Sequence, residues 1–147
     1  MESLSYRTGE DARWGGTDIT ISLTAREAAA LSPDLEMLAD WFDTALWALA
    51  AMRTGESYRG PGTLGEGRTI GTGDAYDMIT ALDHRLLPRL EAIRDAAIRR
   101  HEELGGTVQE LADAMDVSSR STAQYRREAL RKPDRKEPFR DWVTTNH

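Results

Sequence analysis

Cysteine is missing from the 147 residues, which excludes disulfide frameworks, thiol nucleophiles and cysteine-type zinc sites. Histidine occurs three times, at His84, His101 and His147, with no pair at metal-ligand spacing. Phosphate-cradling glycine motifs are absent too: "GTGD", Gly71–Asp74, has neither the Gly-Lys-Ser/Thr ending nor a G-x-G-x-x-G spacing. No serine sits in a nucleophile elbow. These absences point away from an enzyme and from any bound cofactor or metal. The opening "MESLSYRTGEDARWGG" lacks the basic-then-apolar order of a signal peptide. The most apolar run, Leu35–Met52, is interrupted by Glu36, Asp40 and Asp43, so it reads as a buried helix rather than a membrane span. A cytoplasmic protein without a membrane partner is expected.

Lysine is scarce, with 2 residues against 17 arginines, and the basic charge is unevenly placed. Net charge is −6, yet Val117–Arg140 holds eight basic and three acidic residues, a local +5. Residues 1–116 hold 11 arginines against 21 acids, a local −10. Segregation of this kind lets an acidic chain carry a basic, anion-facing end. The acidic N-terminal half is then a candidate surface for a protein partner.

Hydrophobic periodicity predicts a mainly α chain. The first sixteen residues are polar and read as loose. Thr17–Thr24 alternates Ile19, Ile21 and Leu23 with polar residues, the period of a half-buried strand. It is the one good strand, and it must pair with a weak second strand near Gly67–Ile70 or with its copy in a second subunit. Thr24-x-x-Glu27 is a capping box for a short helix. A second helix, from about Pro33 to Arg53, is apolar on nearly every side. Leu35, Leu38, Phe42, Leu46 and Leu49 form one stripe; Met37, Trp41, Ala45, Ala48 and Met52 form another. In a chain this short, such a helix points to a homodimer contact. Thr54–Asp74 is a loop on glycine count. Helical period resumes at Asp74 and runs to the Gly105-Gly106 stop, with a break or kink expected at Pro88. Asp95 and Arg99 are spaced as a solvated i,i+4 pair. The expected organisation is 1–73 (strand, apolar helix and Gly-rich loop), 74–132 (helical connector and a helix pair) and 133–147 (tail), in which Phe139 and Trp142 are candidate anchors.

The helix pair lies in "TVQELADAMDVSSRSTAQYRREALRK", Thr107–Lys132. Thr107-x-x-Glu110 is a second capping box, and Val108, Leu111, Ala112 and Met115 give a two-turn helix its apolar face. Ser118 or Ser119 caps a following helix that ends before Pro133. With Pro88–Leu104 ahead of it, this makes three helices on short connections. "QELADAMDVSSRSTAQYRR" resembles the helix-turn-helix of bacterial transcriptional regulators, in which "ELA…GVSRSTV…R" recurs. The match covers about residues 107–131, or 88–132 as a trihelical unit.

The resemblance implies a helical bundle with a C-terminal trihelical helix-turn-helix and one N-terminal β-strand. It also implies sequence-specific binding of double-stranded DNA as a homodimer on a palindromic site, in transcription regulation. Ser119, Arg120, Ser121 and Gln124 would meet base edges; Thr107 and Gln109 would lie near a phosphate; Arg126, Arg127 and Arg131 would neutralise phosphates. Ala112, Met115, Val117 and Ala123 would pack; Tyr125 is assigned to the core, with stacking on a sugar as the alternative. Asp116 stands where the family usually carries glycine, and one extra serine leaves the groove-facing register open by a position. Two other functions fit the same residues. One is a protein-interaction module, binding RNA polymerase or another regulator, in which the helix pair is purely structural. The other is a ligand-sensing regulator with a pocket among Trp41, Phe42 and Trp47.

Overall fold

The computed structural model describes residues 2–59, 66–133 and 135–145. Residues 60–65 of the expected glycine-rich loop, and Asp134, Asn146 and His147 of the expected tail, lie outside the described residues. The chain is mainly helical and divides into two compact units, one reaching Leu82 and the other spanning Asp83–Thr145. No helix among the described residues is long and apolar enough to cross a membrane.

In the first unit the predicted strand is present as β2 (Thr17–Ile21), but its partner is β1 (Leu4–Thr8), within the stretch expected to be loose. The strands pair antiparallel from Leu4↔Ile21 through Tyr6↔Ile19 to Thr8↔Thr17. Gly9 at φ 60° and Gly15 at φ 79° make the left-handed corners of the connection. β1 escapes sequence reading because Leu4 and Tyr6 alone are too few to reveal a period of two. A second short pair joins β3 (Glu56–Ser57) to β4 (Arg68–Thr69), so "GRTI" does supply a strand, though not the partner of β2. The single expected strand is therefore corrected to two small antiparallel pairs.

α1 (Ala25–Leu31) starts on the predicted capping box: the Thr24 hydroxyl accepts from the Glu27 N–H, and Glu27 accepts in return from the Thr24 N–H. α2 (Leu35–Thr54) begins two residues later than the Pro33 start expected, and ends on Gly55 at φ 75°. Its Ala48 and Ala51 pack with Met78 of α3 (Thr72–Ile79), with Trp47, Ile70 and Leu82 alongside. Trp41 is buried, and the Trp47 indole N–H donates to the fully buried Ser57 hydroxyl at 3.0 Å. Phe42, Leu46 and Leu49, by contrast, remain about half exposed on the opposite side of α2.

Helical hydrogen bonding continues past Ile79, but as a π-helical stretch over Thr80–Leu86 that leads into α4 (Leu87–Glu103). Pro88 has no N–H, and its ring would crowd the carbonyl four residues back. The widened turn ends where proline enters the first turn of α4, so the break or kink expected at Pro88 takes the form of a π-helical stretch before a regular α-helix that begins at Leu87.

The start of α3 rests on Asp74. Its carboxylate receives both arms of the Arg68 guanidinium at 2.8 and 2.7 Å and the Gly71 N–H at 2.9 Å. The Arg68 hydrogen bonds and the Gly71 N–H hold this carboxyl far below the usual carboxylate range. Because the folded-state value is depressed, the stabilisation is fully present above the unfolded-state value near 3.8 and is lost as pH falls below it. Thermal melts of wild type and Asp74→Asn from pH 7 to pH 2 are expected to differ most at neutral pH, with the gap narrowing as pH falls below 3.8. A constant gap across that range would remove Asp74 from the acid response.

Candidate functional site

The second unit is built from α4, α5 (Val108–Ala114), α6 (Arg120–Arg131) and the short α7 (Arg140–Thr144). Two turns set the geometry. After α4, Gly105 adopts φ 87°, and the Gly106 N–H returns to the His101 carbonyl at 2.8 Å. A Cβ at Gly106 would overlap the His101 ring. The two glycines are thus required for different reasons, one for its backbone angle and one for space. After α5, Asp116 takes the left-handed conformation at φ 54°, and the Val117 N–H reaches the Ala112 carbonyl at 3.0 Å. Aspartate therefore makes the turn that glycine would make with less strain.

The Thr107 capping box is present: its hydroxyl accepts from the Glu110 N–H at 3.1 Å, and Glu110 accepts from the Thr107 N–H at 2.8 Å. These hydrogen bonds lower the Glu110 carboxyl below its ordinary value. α5 and α6 cross on small residues, with Ala112 at 1% and Ala123 at 0% exposure. Ile98, Leu111 and Leu130 complete the core, and Val108, Met115 and Val117 pack against it. The packing roles read for Ala112, Met115, Val117 and Ala123 hold.

Ala123, Arg127 and Leu130 define the inward stripe of α6. The opposite side carries Ser121, Gln124, Tyr125 and Glu128, with Arg120 exposed in the first turn. Tyr125 is 70% exposed, so its assignment to the core is corrected. Helical period could have placed it: it lies two residues from both Ala123 and Arg127, across the axis from the buried stripe. Gln124 donates to Glu128 at 2.9 Å, and the Ser119 and Ser121 hydroxyls are in contact at 2.5 Å. Gln109 donates to Asp113 along α5 at 3.0 Å.

The arginines are arranged differently from the sequence reading. Arg127 is 9% exposed and donates to the Gly106 carbonyl at 2.6 Å, with Glu102 at 4.0 Å. It points into the unit rather than to the outward side of α6. Arg131 is paired with Glu102. Arg126 lies 3.9 Å from Asp95, a carboxylate only 4% exposed that also meets Arg94 at 2.9 Å and Arg135 at 3.5 Å. Arg99 reaches Glu137 at 2.5 Å and the Leu130 carbonyl at 3.2 Å, so the expected Asp95–Arg99 pair does not form. Phe139 and Trp142 do anchor the tail, edge to face with each other, and the Arg89 guanidinium lies 4.1 Å from the Phe139 ring centre. Arg120, Lys132 and Lys136 are the cations of this region without an ion pair among the described residues.

No protein-family model, curated protein or solved structure matches this chain.

Of the nine side chains singled out by sequence, the structure brings Ser119, Arg120, Ser121 and Gln124 together at the start and outward side of α6. Thr107 and Gln109 are at the start of α5, engaged in local hydrogen bonds. Arg126, Arg127 and Arg131 are held by carboxylates and a carbonyl of the same unit. In the other unit, Trp41 and Trp47 are tied into packing while Phe42 sits across the helix, so the three rings do not converge on one pocket.

Two variants test this geometry. Arg127→Ala is expected to lower stability by about 2–3 kcal/mol, since it removes a charge-assisted, part-buried hydrogen bond to the Gly106 carbonyl. Asp116→Gly is expected to raise it by roughly 0.5–1 kcal/mol by relieving a left-handed non-glycine residue. Chemical denaturation reads both; a neutral Arg127→Ala or a destabilising Asp116→Gly contradicts the corresponding assignment.

Proposed function

We propose that α4, α5 and α6 act as a trihelical helix-turn-helix that binds double-stranded DNA in a sequence-specific way, as a homodimer on an inverted repeat. The observation that carries this reading is the sidedness of α6. A helix braced by a shorter one on small residues keeps Arg120, Ser121 and Tyr125 exposed and Gln124 half-exposed from its first turn onward. Those side chains combine hydrogen-bond donors and acceptors with an aromatic ring, the functional groups suited to base edges and sugars in a major groove. The left-handed turn at Asp116 supports the reading further, because it supplies the corner the family's glycine would supply. Transcription regulation follows as the role of such a binder.

A second reading is favoured by one specific observation. Most arginines of the basic segment are neutralised within their own unit, which suits a helix pair with a structural role in a protein-interaction module. Salt dependence separates the two. If DNA is bound mainly through Arg120, Lys132 and Lys136, log K should fall against log salt with a slope of about −3 per chain, well short of the roughly −7 that eight phosphate contacts would give.

Selection of bound sequences from a random duplex pool tests the proposal directly. Wild type is expected to enrich an inverted repeat, and Arg120→Ala/Gln124→Ala to lose it while keeping its circular dichroism. Equal recovery by both proteins at low salt, with no enriched sequence, would refute DNA recognition by α6.

A further inference from the structure

Two apolar faces of the first unit are left uncovered. On the hairpin, the cross-strand pairs Leu4↔Ile21 and Tyr6↔Ile19 fall on one side, where exposure runs from 43% for Leu4 to 68% for Ile21. Ser5, Arg7, Asp18 and Thr20 occupy the other side. On α2, Phe42, Leu46 and Leu49 recur at helical spacing opposite the face that buries Ala48 and Ala51, and each is about half exposed. An isolated two-stranded hairpin is not stable in water and needs a helix or further strands against its apolar face. The chain contains such a helix surface, but the hairpin of the same copy does not cover it.

We infer that two copies of this chain exchange hairpins: the apolar face of β1–β2 in one copy covers the Phe42–Leu46–Leu49 stripe of α2 in the other, and the reverse contact completes a two-fold dimer. The dimensions agree. The two apolar pairs of the hairpin lie two residues apart along each strand, about 7 Å, within the roughly 10 Å that α2 rises from Phe42 to Leu49. These seven side chains are each 43–68% exposed, and covering them fully would approach the roughly 800 Å² that each partner contributes to a standard-size interface. The alternatives leave more uncovered. Packing α2 alone on its own copy would bury the stripe and leave the hairpin face in water, and pairing hairpins alone would leave the stripe. Hairpin on helix covers both with one kind of contact, and a single chain species supplies both halves. This contact gives the proposed homodimer its surface, but it stands or falls without DNA.

Sedimentation velocity over a range of concentrations, with no DNA present, tests the exchange through complementation. Wild type is expected at twice the 16.4 kDa chain mass. Ile19→Glu spoils the hairpin face, Leu46→Glu spoils the stripe, and each variant alone is expected to be monomeric. Mixed one to one, they should form a heterodimer, because one hairpin and one stripe remain intact and still meet. A wild-type monomer would overturn the inference. So would a dimeric Ile19→Glu, which would point to contact through α2 alone, and so would two monomeric variants that fail to complement. If either variant loses its circular dichroism, Tyr6→Ser and Leu49→Gln replace the pair with the same reading.

Discussion

A carboxylate near the middle of α4 has almost no access to water. Asp95 is 4% exposed, and an isolated charge so placed would carry a desolvation cost of several kcal/mol. It is met by guanidinium groups from three places: Arg94 on α4 itself, Arg126 on α6 and Arg135 in the tail. Ion pairing around that one side chain therefore ties α6 and the tail to α4. Glu102 repeats the device two turns further along the same face, holding Arg131 and approaching Arg127. Glu137 returns it from the tail by holding Arg99. The apolar core of this unit is small, with two alanines among its five buried members, so directional ionic contacts supply positioning that bulky side chains would otherwise give.

This arrangement changes what the basic segment can offer. Counted along the chain, the stretch from Val117 to Arg140 has a surplus of five positive charges. Once folded, Arg126, Arg127, Arg131 and Arg135 face carboxylates or a carbonyl, and much of the surplus is spent inside the unit. What remains on the outward side of α6 is mostly uncharged: serine hydroxyls, the Gln124 amide and the Tyr125 ring. On the proposed function, recognition would then depend more on hydrogen bonding and stacking than on long-range attraction. That fits a chain whose overall charge is negative and which would gain little from electrostatic steering.

Features that depend on local chemistry were legible in the sequence. Both capping boxes form as read, because Thr24 with Glu27 and Thr107 with Glu110 need only each other and a free N–H. The glycine stop after α4 and the packing of Ala112 and Ala123 were legible for the same reason. Features that depend on which charges end up buried were not. Asp95 read as solvated and Arg127 as phosphate-facing because charged residues usually lie at the surface, and only the tertiary arrangement supplies the partners that permit their burial. Helical spacing did carry a signal for Arg127, which falls on one stripe with Ala123 and Leu130. Residue type overrode that signal, as it did for Tyr125 in the opposite direction. β1 was missed because two apolar residues in a five-residue strand make no pattern. The π-helical stretch was missed because Pro88 marks a disturbance without saying how the backbone absorbs it.

The two units resolve the same constraint in opposite ways. The second pairs its buried Asp95 and Arg127 with groups of its own chain and exposes a polar helix face. The first leaves Tyr6, Ile21, Phe42 and Leu46 in water, although apolar area of that extent on a small unit ordinarily has a partner. α2 explains why both tendencies occur in one helix. Its alanines at 48 and 51 pack on the buried side together with Trp41 and Trp47, while Phe42, Leu46 and Leu49 face away. On the inferred exchange, that second apolar face is the one that serves association. Stability of the first unit would then be tied by mass action to chain concentration, while that of the second would not.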